Sequence, residues 1–265
     1  MEISKITKET LINLIKEGKR IDERKLEEYR EIKFELDVSK NAEGSAMVEI
    51  GNTKVVAGIK IDVTKPFRDS PDEGVLIVNA EFLPLAYGEF EPGPPGIEAI
   101  ELARVVDRGI RESEMIDLKK LCIEEGKYVY SIFIDIYILN HDGNLIDASF
   151  LASILALLNS YLPKIVKKYD EWVVEYGQKT DKKLPINRIP ILVTGYKLAN
   201  VWFLDANLIE EKAAEAKISI GFSFDKESRI HAIQKFEGLI NFEELEKIID
   251  LFEKKGKEIK KILRI

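Results

Sequence analysis

The chain has 265 residues, 45% of them hydrophobic, enough to bury the core of one large domain or two modest ones. Its net charge of -7 excludes a generally basic nucleic-acid binder and restricts any RNA contact to a local patch on an acidic surface. Its single cysteine, Cys122, excludes an internal disulfide, and neither it nor His141 nor His231 stands at metal-ligand spacing, so no metal and no cofactor is expected.

In chain order, MEISKITKETLINLIKEGKR predicts an amphipathic, charged helix over 1–18 that lacks the apolar core of a signal peptide. No later run reaches the roughly 18 uncharged residues of a membrane span, so the expectation is a cytoplasmic protein with no membrane partner. Ile32, Phe34, Leu36 and Val38 alternate with polar residues and predict a half-buried strand. In Gly44 to Lys60, two apolar runs flank the pair Gly51-Asn52, which tolerates positive φ, and predict a β-hairpin. Val75 to Phe82 supplies another strand, and the Pro- and Gly-rich stretch from Pro84 to Gly96 cannot continue a sheet.

Leu102, Val105, Val106, Gly109 and Ile110 then mark the core-facing stripe of a helix over 98–114. A central strand follows over Tyr128 to Leu139, closed by the turn His141 to Asn144. The next helix, Ala148 to Tyr161, is apolar almost all round and should lie buried against the sheet, with Asp147 as its N-cap. Residues 164–188 are strongly charged and read as a helix end plus a connecting segment, which puts the boundary between domains 1–186 and 187–265. Beyond it, Ile189 to Thr194, Lys197 to Phe203, Ala216 to Phe224 and Arg229 to Phe236 read as strands, and Phe242 to Leu263 as a closing amphipathic helix.

The segment Lys19 to Arg24 ending near Tyr29-Arg30, the hairpin GSAMVEIGNTKVVAGIK, the helix ELARVVDRGIR and the turn-helix Asp142 to Ala156 together resemble the RNase PH family. That family comprises RNase PH, polynucleotide phosphorylase and exosome ring subunits. The resemblance covers nearly the whole chain and implies an α+β fold of two mixed-sheet halves with helices packed on one face, the N-terminal half being ribosomal S5 domain 2-like. It also implies phosphorolysis of RNA, which needs positive potential, a phosphate site at a helix N-terminus and a proton donor.

Three departures from the pattern of active relatives point away from catalysis. Leu145 and Ile146 stand in the turn where a hydroxyl and a guanidinium would be expected. Aligning Ala216 on the family's alanine puts Glu211 at the first acid and Lys217 at the catalytic one, where an ammonium with a pKa near ~10.4 is no matched acid at neutral pH. Glu89, Phe90 and Glu91 replace arginines in the loop 87–96, which would then serve packing or an interface. Read without the family, Glu210, Glu211 and Lys217 form a solvated charged face.

What survives is an arginine ridge. Arg104, Arg108 and Arg111 fall within roughly 60° of one another on a helical wheel. Glu101, Asp107 and Glu112 are at spacings that could pair them internally. The resemblance instead makes this the helix by which a non-catalytic ring subunit lends arginines to RNA at its neighbour's active site. Lys65 and Arg68, in VTKPFRDSPDEG, are further candidates for RNA phosphates, although Asp69, Asp72 and Glu73 dilute the charge and favour a solvated loop.

Within the family, the resemblance is to the non-catalytic archaeal exosome subunit. It implies an alternating six-membered ring with an active RNase PH-like subunit, RNA-binding cap proteins as further partners, single-stranded RNA as ligand, and no catalysis by this chain alone. Two other readings stay open: a free-standing phosphorolytic 3′-to-5′ exoribonuclease using Asp142, Asp205 or Glu211 as its acid, and an interaction protein whose ridge is fully paired.

Overall fold

The computed structural model describes residues 3–225 and 227–264, excepting the side chains of 176–179. Met1 and Glu2 of the expected helix 1–18 lie outside the described residues. Helix α1 runs Lys5–Lys16, its start fixed by Ser4, whose side chain accepts the Thr7 amide, and it buries Leu11 and Ile15. Gly18, at φ 72, turns the chain out of it.

Among the described residues, one sheet of six strands holds β1 (Ile32–Leu36), β2 (Gly44–Ile50), β3 (Thr53–Thr64), β4 (Val75–Phe82), β5 (Cys122–Glu124) and β6 (Tyr128–Asn140). Its order is β1-β2-β3-β6-β4, with β5 on the end of β6; β4 is parallel to β6 and the other pairs are antiparallel, so the sheet is mixed. Gly51 takes φ 57 at the first central position of the two-residue β2–β3 turn, as a II′ hairpin requires. The predicted half-buried β1 is an edge strand, mostly exposed.

The second sheet has the order β10-β9-β11-β12, formed by β9 (Pro190–Leu198), β10 (Val201–Leu204), β11 (Ala216–Phe224) and β12 (Ser228–Glu237), and is antiparallel throughout. Helix α2 (Ile97–Glu112) packs along β4, and α3 (Leu145–Leu158) packs on β2, β3 and β9, so α3 is shared by both sheets. Every residue from Leu145 to Leu157 is buried, which explains a sequence that is apolar all round. Helix α5 (Phe242–Leu263) closes the second sheet, and its Phe252 ring fills the space over Gly195, where a Cβ would collide with it.

Four sequence expectations need correction. Residues 164–188 are not a helix end and linker but chiefly a hairpin of β7 (Tyr161–Lys168) and β8 (Glu171–Lys183). Its two-residue tip, Tyr169-Asp170, has φ of 49 and 68 with no glycine to announce it, and its lysines cover the strand alternation of Ile165, Val166, Val173 and Val174. The single strand expected over 197–203 is split by a turn at Ala199-Asn200, both at positive φ. Between β10 and β11 lies a short helix that the periodicity did not reveal, α4 (Leu208–Ala213), started by an Asn207–Glu210 capping box. Finally, α3 begins at Leu145, its N-cap is Asn144 and not Asp147, and it ends before Tyr161.

Helices α2 and α3 meet at Gly109, where an added Cβ would strike the buried Phe150 ring, whereas Gly58 on β3 has nothing within 4 Å. Gly109→Ala should therefore lower the unfolding free energy by about 1–3 kcal/mol through overpacking, with Gly58→Ala close to neutral. Denaturant midpoints of the two variants check this, and equal midpoints would show that the two helices are not in close contact.

Candidate functional site

The irregular segment between α1 and β1 is rich in charge yet runs inward. Arg20 is only 2% exposed, and its guanidinium holds Glu210 bidentately while donating to the Leu204 and Asp205 carbonyls at 2.8 Å each. Arg24 and Arg30 both reach the Asp205 carboxylate, Arg24 at 2.9 Å and Arg30 through two donors at 2.9 and 2.8 Å. Arg30 also donates to the Asp142 carbonyl at 2.6 Å, and Asn144 donates to Asp205 at 2.9 Å. Burial alone would raise the Asp205 pKa, but Arg30 outweighs it and holds the carboxyl below its usual value.

Asn144, at φ 53, is the N-cap of α3. The Glu211 carboxylate accepts its backbone N–H at 2.9 Å. Lys217 donates to the other Glu211 oxygen at 2.5 Å, and Tyr196 approaches it at 3.3 Å. The Lys217 ammonium lies 5.5 Å from the centre of the Tyr196 ring and 5.0 Å from that of Phe236. Burial pushes Glu211 up, yet Lys217 and the Asn144 amide bring it below its ordinary pKa. The expected solvated face of Glu210, Glu211 and Lys217 is thus wrong: Glu210 is fully buried, and Glu211 and Lys217 form a largely buried pair. Leu145 and Ile146, in the first turn of α3, are buried in the core and present nothing to a ligand.

The arginine ridge lies on the exposed side of α2. Of the internal pairings that its spacing allows, the structure forms the one between Arg111 and Asp107, with bonds of 2.6 and 3.1 Å, and Arg111 donates further to the Leu76 carbonyl. Arg108 donates to Gln234 at 3.2 Å, and Arg104 has no ion pair among the described residues. Two side chains of the ridge are thus open to an anion and the third is engaged. Lys65 and Arg68 sit exposed in the β3–β4 loop, without an ion pair among the described residues.

Reasoning from the sequence missed Arg20, Arg30 and Asn144 as organisers of this centre. The signal available was the density of arginines in a segment without helix or strand periodicity, which a solvated loop does not need. His141 was also passed over: it stacks on Phe90 at 5.6 Å and meets Tyr87 edge-on at 5.4 Å, and burial lowers its pKa. No group of three or more His, Cys, Asp or Glu among the described residues could hold a metal.

In comparison with known proteins, residues 28–163 match the 3′ exoribonuclease family, domain 1, RNase PH. Over 262 residues the chain is 45% identical to the exosome complex component Rrp42 of Pyrococcus abyssi, covering 98% of this chain and 94% of that protein. The corresponding protein of Thermococcus gammatolerans is 46% identical over 260 residues, covering 97% and 94%. Among solved structures, a chain of the Archaeoglobus fulgidus exosome with RNA bound to the active site is similar at TM-score 0.87 and 38% identity, covering 97% of this chain and 98% of that one. A chain of an archaeal exosome core has TM-score 0.84 and 35% identity, with coverage of 98% and 97%.

Asp147 lies in the first turn of α3, accepting from Thr194 Oγ1 at 2.6 Å, from Thr194 N at 3.1 Å and from Tyr29 Oη at 2.5 Å. Complete burial outweighs these donors and raises its pKa from 3.8 to about 6. A raised carboxyl pKa stabilises the fold through the protonated form, so that contribution is full below pH 3.8 and is lost as pH rises through about 6. In Asp147→Asn the stability gap to the parent protein should accordingly narrow by up to about 3 kcal/mol between pH 4 and 7. Urea unfolding at pH steps reads the gap; a gap that stays constant or widens would show that Asp147 is not held in this way.

Proposed function

The chain belongs to the 3′ exoribonuclease (RNase PH) family, and from that premise we propose that it is a non-catalytic ring subunit of an archaeal-type exosome. It alternates with an active RNase PH-like subunit, orders the shared site and lends Arg104 and Arg108 to single-stranded RNA during phosphorolytic 3′-to-5′ degradation. Arg111 is the weaker contributor because Asp107 already holds it, and Lys65 and Arg68 serve as peripheral phosphate contacts. RNA-binding cap proteins complete the assembly. Residues 1–186 and 187–265 form its two halves.

The observation that carries the reading is the Glu211 carboxylate seated on the α3 N-terminal amide with Lys217 against it. A carboxylate in that place repels phosphate, and an ammonium is no proton donor matched to neutral pH. The acids that a free-standing enzyme would need are committed elsewhere. Asp205 is held ionised among Arg24, Arg30 and Asn144, while Asp142 faces Arg30 and Asn52.

Phosphate-dependent release of nucleoside diphosphate from single-stranded RNA tests this, using the chain alone, the active partner alone and their mixture. The mixture should degrade RNA well and the chain alone should not. Arg104→Glu with Arg108→Glu should weaken the mixture at least about tenfold, the scale of losing two charge-assisted phosphate contacts. Nucleoside diphosphate released by this chain alone would overturn the reading.

A further inference from the structure

A cavity of about 820 Å³ opens between the 83–96 loop, the first turn of α2, His141 and Lys212. Its volume is that of a site for several side chains and not for a single ion. The proposed RNA ridge does not use it, since Arg104 and Arg108 lie outside its lining.

The wall combines two kinds of group. Tyr87, Phe90 and His141 form a ring cluster, with Phe90 also 4.7 Å from Phe82. Glu81, Glu91 and Glu98 stand around them, exposed and with no ion pair among the described residues. The chain already shows which chemistry suits this wall. Lys212 reaches into it, donating to the Tyr87 hydroxyl at 2.7 Å, lying 5.0 Å from the centre of its ring and 3.5 Å from Glu89. One internal ammonium is therefore held by a tyrosine hydroxyl and a carboxylate together at the rim of the ring cluster.

We propose that this cavity is a docking site for an arginine- or lysine-bearing segment of a protein partner. Glu81, Glu91 and Glu98 pair with its cations, and Tyr87 and Phe90 pack on their stems and charged planes. Charge complementarity selects this occupant over RNA, whose phosphates the carboxylates repel. A cationic side chain has an apolar stem that matches the ring- and proline-lined walls, which a hydrated ion lacks.

The test uses the full chain and a fluorescein-labelled hexa-arginine peptide, read by anisotropy at near-physiological salt. Changing Glu81→Gln, Glu91→Gln and Glu98→Gln together should weaken peptide binding about tenfold, from three partly screened charge pairs. A control of equal charge, Glu9→Gln with Glu125→Gln and Glu237→Gln on exposed sites elsewhere, should change it less than about twofold. Equal losses in the two triple variants would overturn the proposal, because binding would then follow net charge alone. A labelled oligouridine titrated in parallel should bind the cavity variant at least as well as the parent protein; weaker RNA binding there would make the cavity an RNA site and likewise overturn it. Neither titration requires a ring partner, so the outcome is separate from that of the degradation assay.

Discussion

One buried carboxylate, Asp205, joins parts of the chain that are far apart in sequence. Arg24 and Arg30 come to it from the segment before the first sheet, Asn144 comes from the start of α3, and its own backbone leads from β10 into α4. Losing one partner of such a pair leaves a charge without compensation in a low-dielectric interior, at a cost of about 3–5 kcal/mol. Satisfied on every side, it fixes the angle at which the second sheet meets α3, and with it the place of Glu211 and Lys217. The charged groups of this centre are spent on internal cohesion.

The elements with strong periodicity were legible in the sequence. The β2–β3 hairpin, β4, the stripe of α2, β6, β11, β12 and α5 all follow from apolar spacing and turn residues. What escaped were features decided by tertiary contacts. The β7–β8 hairpin turns at Tyr169-Asp170 without glycine, and α4 spans only six residues, too few to show a period. The charged residues Glu210, Glu211 and Lys217 looked like surface because charge is usually solvated. Only the fold brings Arg20, Tyr196 and the α3 amide to them. The family resemblance singled out Lys217 and Glu211, but nothing in the sequence showed that they pair with each other.

Helix α2 carries both kinds of surface charge. Its first turn holds Glu98 and its last turn Arg111, the placement that the helix dipole favours, and Arg104 and Arg108 lie between them. The same polarity that steadies the helix divides its surroundings. The cavity wall at its start has three carboxylates without cations, and two arginines farther along have no carboxylate partner among the described residues. An acidic protein can in this way keep a confined cationic patch without a net positive surface.

The close approach at Gly109 also bears on recognition. Because α2 lies close against Phe150 at Gly109, the core fixes where the helix sits, while helix geometry sets the spacing between Arg104 and Arg108. Long side chains normally lose much freedom when they seize an anion, but here their anchor points are immobilised when the chain folds. On the proposed reading, the helix acts as a ruler with two marks one turn apart, suited to extended anions whose charges repeat at a matching interval over compact ones.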